Sequence, residues 1–250
     1  MNTADRMWVE GIVAEERARM ERWARAWKAY WGDAKDPLQV KAGQANDNVK
    51  VNYARLIVDK NVAFLFGSEP VFELGAEDEE LPAEVWLKDF WRANKKMLFL
   101  QKVAMNGAVC GHSFIKIQPA QPGQRFPRLV NLSPEYVNVV TDPDDIDSVL
   151  RYVIQYPAMG PDGERLVIRQ TIEPAGAVWS IRDEISRNGG RWQERQTVVW
   201  QWPWAPIIDT QNLPSPNEYY GVADLEEDVL DLNDAINFVL SNIQRIVRFH

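Results

Sequence analysis

Apolar residues recur at helical spacing over the first 31 positions. Trp8, Ile12, Met20, Trp23, Trp27, Tyr30 and Trp31 lie in a stretch without proline. Trp23, Trp27, Tyr30 and Trp31 stand at i, i+4, i+7 and i+8, so they share one face, and the spacing predicts a helix over residues 5–31. Residues 32–48 are polar, carry Pro37 and Gly43, and read as a loop. A second helix is predicted over 49–66: Val49, Tyr53, Leu56, Ile57 and Phe64 keep the period, Lys60 is the polar exception, and Gly67 and Pro70 stop it. Val71 and Phe72 read as extended chain. The acidic run Glu77, Asp78, Glu79 and Glu80 reads as a solvated loop leading to Pro82 at a first-turn position, with helices over 83–93 and 95–109.

From Ser113 the hydrophobic period shortens towards two. Strands are predicted over 113–117, 128–132, 136–141, 149–156, 165–172, 177–182 and 191–200, separated by Pro, Gly and Asp clusters. Asn188, Gly189 and Gly190 form a hairpin-type connection. The links are too short for crossover helices, so the pairing is mostly antiparallel. Residues 212–221 read as a Pro/Asn/Ser loop, and a long helix follows from 222 to the end. The fold class is therefore α+β, with a helical start, an antiparallel β-rich middle and a long terminal helix.

That last helix carries a heptad pattern. Leu225, Val229, Leu232, Ile236, Val239, Ile243 and Ile246 are spaced 4, 3, 4, 3, 4, 3, a seam suited to packing along another long helix. Acids gather in its first turns (Asp224, Glu226, Glu227, Asp228, Asp231, Asp234) and Arg245 and Arg248 near its end, which complements the helix dipole. About 28 residues at 1.5 Å each give a rod of roughly 40 Å whose seam needs a partner outside this sequence.

Charge narrows the possibilities. The chain of 250 residues has a formal net charge of -8, and an acidic surface argues against tight grip on duplex DNA, which needs clustered Lys and Arg. It does not exclude DNA passing nearby. Eleven tryptophans point to extensive aromatic packing or contact surfaces. A single cysteine precludes an intrachain disulfide framework, the start is broken by charges unlike a secretory leader, and no run of about 18 apolar residues exists for a membrane span.

Catalytic signatures are missing. There is no phosphate-binding glycine loop, no nucleophile elbow and no paired-histidine metal motif. Cys110 and His112 are conceivable as a catalytic pair, but an apolar approach to Cys110 reads as a buried structural thiol. The acids Asp142, Asp144, Asp145 and Asp147 lack the glycine and closing glutamate of a calcium loop and read as an exposed turn between strands. Trp200, Trp202 and Trp204 alternate around Pro203, either as a stacking platform or as a strand end packed on the core. No metal or cofactor is expected.

Three segments, taken in order, resemble the portal proteins of long-tailed bacteriophages over about residues 48–249. They are Asn52-Tyr53-Ala54-Arg55-Leu56-Ile57-Val58-Asp59 with Gly67-Ser68-Glu69-Pro70-Val71; Val139-Val140-Thr141-Asp142 with Leu150-Arg151-Tyr152-Val153; and Pro206-Ile207-Ile208 with Asp224-Leu225 through Asn233-Asp234-Ala235. Asp209 and Thr210 depart from a usually apolar position, and Asn233 to Asn237 departs from the usual Asp-Ala-Tyr-Asn. The resemblance implies the N-terminal half of a ring subunit, with an N-terminal helix and loop over 1–48, a wing domain over 49–220 and a first stem helix over 221–250. The clip, second stem helix and crown that follow in the family are not in this sequence.

The resemblance further implies a homo-oligomeric ring of about twelve subunits. The ring would sit at the capsid vertex of the virion after assembly in the host cytoplasm. Partners would be the terminase large subunit, a head-tail adaptor, and scaffold and major capsid proteins, with double-stranded DNA passing through and no membrane involved. On that reading Asp228, Asp231 and Asp234 either face the channel or simply complement the dipole, and Arg245 and Arg248 either meet phosphate or cap the helix. The alternatives are a metal-dependent nucleic-acid-processing enzyme using the 142–147 acids, or a coiled-coil interaction module.

Overall fold

A computed structural model describes residues 14–74 and 81–249. The opening turns of the first predicted helix, the acidic run at 77–80 and His250 lie outside the described residues.

Helix α1 (Ala14–Tyr30) packs with α2 (Tyr53–Leu65) and α4 (Lys96–Cys110). Trp23, Tyr30, Val58, Val109, Leu225 and Leu230 form their common core; full burial of each such side chain is worth about 1.5–3 kcal/mol. Helix α2 begins at Tyr53 rather than at 49, because Asn52 turns its side chain onto the Arg55 N–H as a cap. Helix α3 (Pro82–Ala93) starts with proline in its first turn. It meets α4 through a sharp corner in which Lys95 and Lys96 take left-handed backbone conformations. A smaller cluster of Trp91, Phe99 and Val103, with Phe72 and Leu129 against it, fills that corner.

Two antiparallel sheets follow. Strands β1 (His112–Gln118), β2 (Arg128–Leu132) and β8 (Ile207–Gln211) form a three-stranded sheet in the order β2-β1-β8. Strands β3 (Val137–Thr141), β4 (Val149–Met159), β5 (Arg165–Ala175), β6 (Val178–Arg187) and β7 (Gln193–Trp200) form a five-stranded meander. The β6–β7 turn has positive φ at Asn188 and Gly189 and is closed by the Gly190 N–H on the Arg187 carbonyl at 2.8 Å, the backbone that a tight hairpin favours. Between the sheets lie Phe114, Val137, Tyr152, Ile154, Ile172 and Ile207. A polar chain also crosses them: Lys116 of β1 donates to Gln170 of β5, which donates to Asp183 of β6, and Gln196 of β7 donates to the same carboxylate at 2.6 Å. Burial lowers the Lys116 pKa, with Asp183 opposing.

Helix α5 (Glu227–Phe249) ends the described chain. It starts at 227 rather than at 222: Val222 is held in an antiparallel bridge to Leu213, and the Asp224 N–H is taken by the Ala108 carbonyl at 2.8 Å, which ties the lead-in to α4 before the helix begins.

Candidate functional site

Helix α5 is fixed to the molecule by its polar side chains. Leu230, Asn233, Asn237 and Ser241 are its buried residues, and the last three stand at i, i+4 and i+8 on one face. Asn233 Oδ1 accepts the Tyr53 N–H at 3.1 Å, Asn237 Oδ1 accepts the Val51 N–H at 2.8 Å, and Ser241 Oγ accepts the Val49 N–H at 2.9 Å. Asn237 Nδ2 returns a bond to the Val51 carbonyl at 3.2 Å, and Ser241 Oγ–H reaches the Val49 and Asn237 carbonyls. Residues 49–52 therefore run extended, where apolar spacing alone predicts helix. The geometry matches: four helical residues advance about 6 Å, and two extended residues advance about 6.6 Å. Each rung is a helix side chain set against every second backbone amide.

The opposite face of α5 is apolar and open. Leu232, Val239, Ile243 and Ile246 are each more than half exposed, whereas Ile236 is half-buried. The first two members of the seam behave differently: Leu225 precedes the helix and is buried in the helical core, and Val229 packs partly against it. At 100° per residue, Leu232, Val239 and Ile246 sit about 180° from the Asn237/Ser241 edge.

The charged candidates divide by partner. Asp231 and Asp234 face Arg25 of α1, at 2.5 and 3.6 Å, and the Asp231 hydrogen bond raises the Arg25 pKa. Both carboxylates remain exposed, and such surface pairs contribute about 0–1 kcal/mol. Asp228 is exposed on the side of the apolar stripe, its carboxylate turned onto the Val229 N–H at 2.8 Å. Arg248 and Arg245 converge on the buried carboxylate of Asp47, at 2.7 and 3.8 Å.

The lead-in to α5 is held by close backbone approach. A Cβ on Gly111 would lie 2.2 Å from the Gly221 carbonyl oxygen, and one on Gly221 would lie 2.6 Å from the Gly111 oxygen. Asn212 donates to the Val222 carbonyl and to Asp224, which also accepts from Asn61 of α2 at 3.0 Å.

The remaining sequence candidates lie apart from this helix surface. Cys110 packs into the helical core, whereas His112 is enclosed by the rings of Phe114, Tyr219 and Tyr220, 3.9 Å from Asp209. Tyr219 donates to the same Asp209 carboxylate, and burial raises the Tyr152 phenol beside it. The 142–147 acids are on an exposed turn, and among the described residues no group of three or more His, Cys, Asp or Glu could hold a metal. Trp200 is buried, with Trp202 and Trp204 exposed and stacked at 6.2 Å. Trp23 is buried, and the exposed Trp31 stacks on Trp27 at 6.3 Å. No described helix is long and apolar enough to cross a membrane.

Sequence reasoning missed the Asn233, Asn237 and Ser241 ladder, although its signal, three hydrogen-bonding side chains at four-residue intervals, is present in the sequence. No individual curated protein matches the chain. The family model described as phage portal protein, SPP1 Gp6-like, matches residues 9–243, a span that takes in all of α1 and most of α5. The chain belongs to this phage portal protein family.

Proposed function

We propose that α5 is the first stem helix of a portal subunit, anchored to its own wing by the polar ladder and packed through its apolar stripe against helices of the ring. Portal proteins are structural components of the virion that form an oligomeric ring at the capsid vertex and serve genome packaging. The observation that carries the reading is the distribution of polarity on α5: its docked face carries a polar ladder satisfied by backbone beside the single buried Leu230, and the stripe opposite, Leu232, Val239, Ile243 and Ile246, is apolar and exposed. A large exposed apolar patch marks an interaction surface.

In this reading residues 49–220 are the wing and residues 1–48 the N-terminal helix and loop, and the subunit performs no catalysis. The ring holds about twelve copies. It engages the terminase large subunit, a head-tail adaptor, and scaffold and major capsid proteins, after assembly in the host cytoplasm. Of the acids, Asp231 and Asp234 are spent on Arg25 of α1, which leaves Asp228 as the carboxylate free to repel phosphate at the edge of the stripe. Arg245 and Arg248, held at Asp47, keep further N–H donors for a passing backbone.

Cryo-electron microscopy of the intact gene product tests this. Closed rings with Val239 and Ile243 against neighbouring helices are expected. Val239→Asp with Ile243→Asp should abolish rings while leaving the melting of the isolated chain nearly unchanged, since both side chains are exposed. A helix α5 lying away from the channel wall, or rings indifferent to both aspartates, would overturn the proposal.

A further inference from the structure

The corner between α3 and α4 encloses a cleft of about 760 Å³ against β2 and the loop before it. Lys95, Lys102, Arg125 and Arg128 line it over a floor that includes Leu98, Phe99, Phe126 and Leu129, and no Asp or Glu is among its lining residues. In a chain of net charge -8 this is a local reversal of sign. The walls are fixed: Asn94 Oδ1 accepts the Leu129 N–H at 2.8 Å, and its Nδ2 donates to the Pro127 and Phe90 carbonyls at 3.2 and 3.0 Å. Arg125 has Asp89 at 3.7 Å. Among the described residues no carboxylate pairs with Lys95, Lys102 or Arg128. Three exposed cations thus surround an apolar floor without a carboxylate partner among the described residues.

An occupant must bring acid and apolar groups together. A duplex backbone brings phosphate alone and needs a basic track rather than a concave corner. Among the described residues the chain carries a complementary piece, on its other sheet. The β3–β4 turn presents Asp142, Asp144, Asp145 and Asp147 around an exposed Ile146. Its shape is set internally: Asp142 and Asp145 accept the N–H groups of Asp144 and Asp147 at 2.9 and 3.3 Å, and Asp142 N–H donates to the Ser148 carbonyl at 2.8 Å. Among the described residues these four carboxylates have no ion pair.

A closed ring of identical subunits requires two different, complementary patches on each copy. Building on the ring reading above, we propose that the acidic β3–β4 turn of one subunit seats in the basic α3–α4 cleft of its neighbour. Ile146 meets the apolar floor and the aspartates meet Lys95, Lys102 and Arg128. The contact is head-to-tail, so it propagates around the ring and leaves no free copy of either patch in the closed assembly.

Charge reversal in the intact gene product tests the pairing by native mass spectrometry. Lys102→Glu with Arg128→Glu is one arm; Asp144→Lys with Asp147→Lys is the other, chosen to leave the turn's own Asp142 and Asp145 bonds in place. Each arm alone should lower ring yield about tenfold or more, through like charges in contact. The two combined should return the yield to within about threefold of the unaltered protein, as coupled sites do. Thermal melts of the separate chains, unchanged between variants, confirm folding. Rings that ignore either reversal, or losses that the combined variant does not restore, would overturn this contact alone. Absence of rings in the unaltered protein would instead sink the portal-ring reading and this inference with it.

Discussion

Asn237 acts at one position as a neighbouring strand would, accepting from the Val51 N–H and donating to the Val51 carbonyl. Removing its amide leaves both backbone groups without partners in a half-buried seam, and such losses cost about 1–3 kcal/mol. Asn237→Ala should therefore lower unfolding stability by that amount in urea titration. Asn242→Ala, whose exposed amide bonds only to the Phe238 carbonyl one turn back, should stay within about 0.5 kcal/mol. The identities of these residues are plain in the sequence, but their role was not. Polar side chains in a helix read as its solvent face, and the amides they serve are 180 to 192 positions away. The apolar stripe had the opposite fate: its spacing is legible, yet only Leu225 and Val229 belong to the subunit's own core.

At the scale of elements, the point where the chain enters α5 is the least forgiving. Gly111 ends α4 with φ of +76°, and its N–H returns to the Gly107 carbonyl at 2.7 Å. Gly221 passes so close that backbone, not a flexible side chain, would meet any added carbon. Gly221→Ala should cost about 2–4 kcal/mol in thermal or urea unfolding, whereas Gly67→Ala, with nothing nearer than 3.5 Å, should be tolerated. Most elements were readable because their signals are local: β2 has the predicted limits, and Gly111 and Asn188-Gly189 mark real boundaries. Strand β8 was missed, since Ile207 and Ile208 follow Pro206 with no sustained alternation and their partner β1 lies some ninety residues earlier. The starts of α2 and α5 were both placed too early: the residues ahead of α2 are taken up by the α5 side chains before Asn52 caps the helix, and Val222 ahead of α5 bridges Leu213.

At the scale of the whole molecule the formal net charge is -8, with an acidic β3–β4 turn and a local cluster of cations at the α3–α4 corner. A conduit that lets DNA slide must not hold it. In fluorescence anisotropy the isolated chain should bind duplex DNA more weakly than about 10⁻⁴ M at physiological salt, below the usual non-specific range. Tight, salt-resistant binding would contradict a sliding surface. The rung-by-rung attachment of α5 has a mechanical consequence at this scale. Because four helical residues and two extended ones advance by nearly the same distance, about 6 and 6.6 Å, the rod is meshed like a pinion on a rack, and thrust along it meets all three rungs together. It either holds, passing load through three amides into the link between α1 and α2, or jumps a whole tooth of about 6 Å.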